Sequence, residues 1–246
     1  MTDFNIRNKV ALVTGGSKGI GRAVALRLAE HGVKIAVNFN TSADAAENVA
    51  ASINEMGVEA MTVHADVSSV DMVTNMVDKV NQTWGNIDIL VNNAGAIPAG
   101  SMDLINEDIW RDSWNLKVFG YVNICRHAYA RMRDVRRGVI INIIGAAGER
   151  PSPGYIAGSG GNASLMAITR ALGGRSLEDG LRVVAINPGL IETERLVTIL
   201  KTQALERFGN ENCWKELLDP TFPPGEPRHI ADLVAFLASD LSGNTT

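Results

Sequence analysis

Short apolar segments rich in β-branched residues alternate along this chain with longer segments of helical periodicity. The first apolar segment is VALVT at 10–14, and Ile20, Val24 and Leu28 follow it at the spacing of one helix face. Further strand-like segments lie at 34–39, 59–65, 87–91, 139–144 and 181–186. They are apolar on both faces, which is typical of parallel strands covered by helices on each side. The predicted fold is therefore α/β, a doubly wound parallel sheet with helices on both faces.

The segments between and after these strands predict helices. They lie at 20–31, 42–56, 69–84, 103–132, 162–177, 193–217 and 228–238. No change of composition marks a linker, so we expect a single domain over residues 1–246. No seventh strand is predicted after Asp240.

Composition excludes several classes of function. Basic residues number 23 and acidic residues 27, a net charge of −4, which disfavours a nucleic-acid binder. No apolar run is long enough to span a membrane, and the polar N-terminus lacks the apolar core of a signal peptide. The four histidines and two cysteines show no metal-ligand spacing. We expect a cytoplasmic protein without a metal ion that binds neither nucleic acid nor membrane.

The turn after the first strand is rich in glycine. The sequence TGGSKGIG at 14–21 joins a predicted strand to a predicted helix. Glycines permit a tight turn and the close approach of a pyrophosphate, and the helix N-terminus offers free N–H groups to that anion. This position in a βαβ series predicts a dinucleotide site.

Several motifs occur in the order and spacing of one family. The glycine turn matches TGxxxGxG, Asp66-Val67 follows the third strand, and NNAG at 92–95 follows the fourth. Asn115 lies in the long helix, and NPGLIET at 187–193 follows the sixth strand. The chain thus resembles the short-chain dehydrogenases/reductases over nearly its whole length. The resemblance implies a single Rossmann-type domain, an oxidoreductase acting on a carbonyl or alcohol of a small molecule, and a homo-oligomer, tetramer or dimer.

The resemblance also implies which residues bind the dinucleotide and the substrate. Residues 193–227, with the Pro-rich stretch 222–227, are expected to form a substrate lid. The cofactor positions are Gly15, Ser17, Lys18, Gly19, Ile20, Gly21, Asn40, Asp66, Val67, Asn93, Ala94, Gly95, Asn162, Pro188, Gly189, Ile191 and Thr193.

The second strand bears on the choice between NAD(H) and NADP(H). An acidic residue at its end would bind the ribose 2′-hydroxyl and select NAD(H). The strand ends in Asn38-Phe39-Asn40, without an acid, and Lys18 is available to a 2′-phosphate. NADP(H) is therefore the preferred cofactor, and NAD(H) remains the alternative.

The catalytic residues of the family are absent. The family uses a serine and, thirteen residues later, Tyr-x-x-x-Lys, in which tyrosine is the proton donor. Flanking motifs place Gly145, Gly158 and Asn162 at the serine, tyrosine and lysine positions. Glycine carries no proton, and asparagine carries no charge that lowers a tyrosine pKa.

Two interpretations of this loss stay open. Shifting the register by three residues brings Tyr155 to the tyrosine position, Ser159 to the lysine position and Asn142 to the serine position. The candidate catalytic residues are then Asn115, Tyr155 and Ser159. Alternatively, the protein binds a dinucleotide without ordinary dehydrogenase turnover, as a sensor, partner subunit or pseudoenzyme.

Glycines are concentrated before Asn162. Each glycine inside a helix costs about 0.8–1 kcal/mol relative to alanine. Gly154, Gly158, Gly160 and Gly161 therefore predict a flexible loop over the nicotinamide, with the helix beginning near Asn162.

Overall fold

The computed structural model describes residues 4–246, except for the side chains of residues 202, 203 and 206. Its sheet has six parallel strands in the described region, in the order β3-β2-β1-β4-β5-β6. The strands are β1 (Val10–Val13), β2 (Lys34–Phe39), β3 (Ala60–His64), β4 (Ile89–Asn92), β5 (Gly138–Ile143) and β6 (Leu181–Ile186). The direction of winding reverses between β1 and β4. The predicted doubly wound α/β fold is confirmed.

Helices cover both faces of this sheet. They are α1 (Gly19–Glu30), α2 (Ala43–Glu55), α3 (Val70–Trp84), α4 (Glu107–Trp114), α5 (Gly120–Asp134), α6 (Ile156–Ser176), α7 (Glu194–Phe208) and α8 (Pro227–Ala238). Within the described residues, no helix is both long enough and apolar enough to cross a bilayer.

Each face of the sheet has its own apolar core. Val13, Ile35 and Ile141 point to the face covered by α1, α2 and α8, where Leu28 and Val234 are fully buried. Alternate residues of the same strands point to the face covered by α3 and α5. This explains why the strand segments carry no polar side in the sequence.

The predicted helix over 103–132 differs from the structure at both ends. Asn106 caps α4, because its side chain accepts a hydrogen bond from the N–H of Ile109 at 2.9 Å. A π-helical turn, Asn115–Phe119, joins α4 to α5.

The predicted helix over 193–217 is divided in the structure. Helix α7 ends at Phe208, where Gly209 is left-handed (φ +68°), and a 3₁₀ helix follows at Glu211–Leu217.

The prediction that a glycine loop precedes a helix starting at Asn162 is wrong. The helix α6 begins at Ile156, so three of those glycines lie within it. Its backbone lies close to other parts of the chain: a methyl group on Gly161 would come within 2.9 Å of Ile97 Cδ1 and 3.3 Å of Val118 Cγ2. Close packing offsets the helix propensity that the glycines lack.

Candidate active site

The glycine turn and the NNAG segment are joined at the carboxyl ends of β1 and β4. Thr14 is fully buried, and its Oγ1 accepts hydrogen bonds from the N–H groups of Asn93 (2.9 Å) and Ala94 (3.0 Å). In return, Asn93 Nδ2 donates to the carbonyl oxygens of Thr14 (3.0 Å) and Gly15 (3.2 Å). These four bonds fix the shape of the turn.

Two glycines of the turn have no room for a side chain. Gly15 has a left-handed backbone (φ +59°), and a methyl group there would lie 3.0 Å from Ala94 Cα. A methyl group on Gly21 would overlap the carbonyl oxygen of Gly15. The turn therefore requires glycine for close backbone contact as well as for conformation.

The N-terminus of α1 is open to an anion. Its first intrahelical hydrogen bond runs from Arg22 N to Lys18 O, so the N–H groups of Gly19, Ile20 and Gly21 precede the helical ladder. Thr193 approaches from the far side, 3.4 Å from a methyl group built on Gly19. The free N–H groups and the positive end of the α1 dipole would attract a pyrophosphate. The glycines of the turn would let it approach the backbone closely.

The ends of β2 and β3 form the next part of the edge. Asn38 is buried, and its Oδ1 accepts from the N–H of Gly15 at 3.3 Å. Asn40 is exposed, and its Nδ2 donates to Asp66 at 3.2 Å. Hydrogen bonds from Ser68 lower the pKa of the Asp66 carboxyl. Val67, in contrast, is buried against Gly120, where it is a packing residue.

The segment after β6 closes over the end of β5. Pro188 O accepts a hydrogen bond from Ala146 N at 2.8 Å, and Ile191 forms a bridge with Gly225. Gly189 is exposed. Thr193 caps α7, and Arg195 of that helix donates to the carbonyl oxygens of Gly95 (3.5 Å) and Ile97 (2.9 Å).

Positions 145 and 162 meet beyond the end of β5. Asn162 Nδ2 donates to Gly145 O at 3.3 Å, and Asn162 is only 2% exposed. Its Oδ1 is buried without a hydrogen-bond partner among the described residues. Gly145 has φ +129°, a backbone conformation that side chains disfavour.

Tyr155 lies directly against Gly158. A methyl group on Gly158 would overlap the Tyr155 ring, so the phenol occupies the volume into which a side chain at position 158 would project. The ring also packs against the apolar cluster of Ile97, Ile105 and Ala157. Burial raises the pKa of Tyr155, while the Arg195 charge acts in the opposite direction.

Ser159 and Asn142 have structural contacts. Ser159 is 5% exposed, and its Oγ accepts the N–H of Ser152 at 3.1 Å, which holds the turn before Tyr155. Asn142 is buried within the sheet, bonded to Asn92 and Thr169 at 2.9 Å each. The shifted register would thus place a buried residue of the sheet, Asn142, at the serine position.

Asn115 and Lys117 face different surroundings. Asn115 is exposed and lines an open cavity of about 530 Å³ with Trp114 and Phe119. Lys117 is buried and reaches the end of β5, where its Nζ donates to Ile144 O at 2.7 Å. The sequence carried a signal for Lys117, since it shares a helical face with the buried Tyr121 and Ile124.

This geometry was compared with known proteins. A family model described as short chain dehydrogenase matches residues 9–204. This protein belongs to the short-chain dehydrogenase/reductase family. Among curated relatives of this protein, a 3-oxoacyl-[acyl-carrier-protein] reductase FabG of Staphylococcus epidermidis is 36% identical over 95% of this chain and 92% of its own. An acetoacetyl-CoA reductase of Shinella zoogloeoides is 35% identical over 97% and 94%.

A solved structure of the family superposes on this short-chain dehydrogenase/reductase. The L-sorbose reductase of Gluconobacter frateurii, complexed with NADPH and L-sorbose, has a TM-score of 0.91 and 28% identity, with 100% of this chain and 95% of its own covered. The relatives named here are all reductases.

Proposed function

We propose that this protein is an NADPH-dependent reductase of a small-molecule carbonyl, in which the Tyr155 phenol supplies the proton. The observation that carries the proposal is the placement of the Tyr155 ring against Gly158. The Tyr155 ring lies where the Cβ atom of a side chain at position 158 would lie.

The chain's own groups fit a dinucleotide. The glycine turn and the first N–H groups of α1 would hold the pyrophosphate, Asp66 and Asn40 would lie at the adenosine end, and Asn93–Gly95 would line the centre. Asn162 and residues 188–193 would contact the nicotinamide end. When bound, NADPH supplies the hydride. Lys18 is exposed at the N-cap of α1, which supports a preference for the 2′-phosphate of NADP(H) over NAD(H).

The proton would come from Tyr155. The phenol is protonated at neutral pH and could donate to an oxygen that gains negative charge. Burial raises its pKa and weakens it as an acid, whereas the Arg195 charge acts in the opposite direction. In the reduction the phenol O–H bond breaks, an O–H bond forms on the substrate, and solvent reprotonates the phenolate. Ser159 would act through the turn that carries Tyr155.

The segment 193–227 is proposed as the substrate lid. Arg195 ties α7 to the carbonyl oxygens of Gly95 and Ile97, and Ile97 belongs to the cluster against which Tyr155 packs. These contacts support a lid that would cover the space beside the phenol. The relatives act on 3-oxoacyl thioesters and a ketose by name, and we infer a carbonyl substrate of that general kind. We also infer one catalytic domain per chain and a homo-oligomer, tetramer or dimer.

A binding protein without turnover is the second candidate, favoured by Gly145 and Asn162 at two catalytic positions. Two measurements distinguish the candidates. Calorimetric titration with NADP⁺, NADPH, NAD⁺ and NADH tests binding, and NADPH absorbance with 3-oxoacyl thioesters, ketoses and simple ketones tests turnover. Turnover well above the background without enzyme supports the reductase. Tight NADPH binding without turnover on any of these substrates supports the binder, and absence of all binding contradicts both.

A further inference from the structure

Lys117 places a positive charge inside the protein at the end of β5. The residue is only 8% exposed, although lysine is among the residues most often found at the surface. It lies in the π-helical turn Asn115–Phe119, and its Cγ would lie 2.8 Å from a methyl group on Gly95. Its aliphatic chain thus lies against the NNAG segment, and its ammonium reaches Ile144.

Among the residues that the structure describes, no carboxylate forms an ion pair with Lys117. Its one hydrogen-bond acceptor among the described residues is the neutral carbonyl of Ile144, which leaves two N–H groups of the ammonium unused. The nearest charge acting on it is the like charge of Arg195. A buried cation with one neutral partner is costly, and an electron-rich ligand group would remove part of that cost.

A complementary group lies at the same turn. Asn162 Nδ2 donates to Gly145 O, the carbonyl that follows Ile144 O, and its buried Oδ1 has no partner in the described part of the chain. Lys117 therefore has donors to spare and Asn162 has an acceptor to spare. A hydroxyl group between them would satisfy both, because it can accept from the ammonium and donate to the amide oxygen.

The position of this turn in the sheet indicates which half of a dinucleotide would lie beside it. The pyrophosphate cradle follows β1, and the adenosine end lies toward β2 and β3, on one side of it. The turn at 144–145 follows β5, two strands away on the other side, beyond β4. A dinucleotide lying along this edge has its nicotinamide half here.

We propose that Lys117 and Asn162 bind a hydroxyl of the nicotinamide-side ribose, and that Lys117 supplies the site's positive charge from the π-helical turn. This inference rests on the proposed function, because it requires a bound dinucleotide. Asn162 of α6 is uncharged. The positive charge beside the ribose hydroxyl would therefore come from Lys117, which lies in the π-helical turn Asn115–Phe119.

Titration of Lys117 gives the proposal a pH signature. Burial, together with the Arg195 charge, lowers the pKa of Lys117 to about 8. The other groups shown against it, the backbone at Gly95 and Ile144, are neutral. Tyr121, on the following helix, bonds to Ile143 O, and burial holds its pKa well above its usual range. Affinity that depends on the ammonium therefore falls as pH rises through about 8.

The test compares two ligands by calorimetry. NADP⁺ contains the nicotinamide-side ribose, whereas adenosine 2′,5′-bisphosphate lacks it. For Lys117→Met, we expect NADP⁺ affinity to fall about tenfold or more, the size of one charge-assisted hydrogen bond, and bisphosphate affinity to stay within twofold. Lys34→Met is the matched control, since Lys34 pairs with Glu59 away from this edge, and neither affinity should change.

Each outcome has one meaning. Unchanged NADP⁺ affinity in a Lys117→Met protein with a wild-type melting curve overturns the proposal, and so does an equal loss for both ligands. If that variant does not fold, the wild-type protein decides: NADP⁺ affinity should decline between pH 7 and 9 while bisphosphate affinity does not, and parallel profiles overturn the proposal. Failure of both ligands to bind wild-type protein contradicts the proposed function instead.

Discussion

The Tyr155 ring lies in the space that a side chain on Gly158 would require, three residues further along the chain. The two positions belong to one turn at the start of α6, with Tyr155 as its N-cap residue and Gly158 inside the helix. Gly158 can therefore stand at the family's tyrosine position while the phenol of Tyr155 fills the adjacent space. The two registers are thus compatible. The sequence alone presented them as alternatives.

Tyr155→Phe tests the proton donor. On a substrate established by the panel, we expect turnover to fall about 100-fold or more, because the ring stays and the acidic O–H is lost. NADPH affinity and melting temperature should change little. Tyr129→Phe is the control, since Tyr129 bonds to Asp179 on the outer side of α5. Full activity of Tyr155→Phe would exclude Tyr155 as the donor.

Restoring the family's residues should fail in this backbone. A tyrosine at Gly158 would overlap the Tyr155 ring, and a serine at Gly145 would adopt φ +129°. We expect Gly145→Ser/Gly158→Tyr/Asn162→Lys to lose about 2 kcal/mol or more of unfolding free energy and to gain no activity. Adding Tyr155→Ala should recover part of that stability, as measured by urea unfolding. A triple variant as stable as wild type would show that the overlap is relieved without cost.

Gly21→Ala should disrupt the dinucleotide cradle. The added methyl group would overlap the carbonyl oxygen of Gly15, which the fold cannot move without breaking the bonds to Asn93. We expect NADPH affinity to fall at least tenfold and stability to fall by about 1–3 kcal/mol. Gly174→Ala is the control in α6: nothing lies within 4 Å of its added methyl, so stability should rise by about 0.5–1 kcal/mol. Normal NADPH binding by Gly21→Ala would argue against this cradle.

Lys18→Met tests cofactor choice. Lys18 is exposed at the N-cap of α1, where its ammonium is available to a 2′-phosphate. We expect NADP⁺ affinity to fall several-fold and NAD⁺ affinity to stay constant, and the wild-type preference for NADP⁺ to shrink as salt is raised. If Lys18→Met weakened the binding of NADP⁺ and NAD⁺ equally, Lys18 would contact a part that the two cofactors share. If the wild-type protein bound NAD⁺ more tightly than NADP⁺, the proposed preference for NADP(H) would be wrong.

The sequence by itself determined the alternation of strands and helices and the glycine turn between β1 and α1. These features are local: strands apolar on both faces, helical spacing and a glycine turn each follow from neighbouring residues. The sequence could not determine the start of α6, because the cost of its glycines is offset by contacts with Ile97 and Val118, distant in the chain. Helical spacing places Lys117 on the same face as Tyr121 and Ile124, but the sequence could not determine that its ammonium reaches the end of β5. That contact joins residues 27 positions apart in the chain, so only the tertiary structure fixes it.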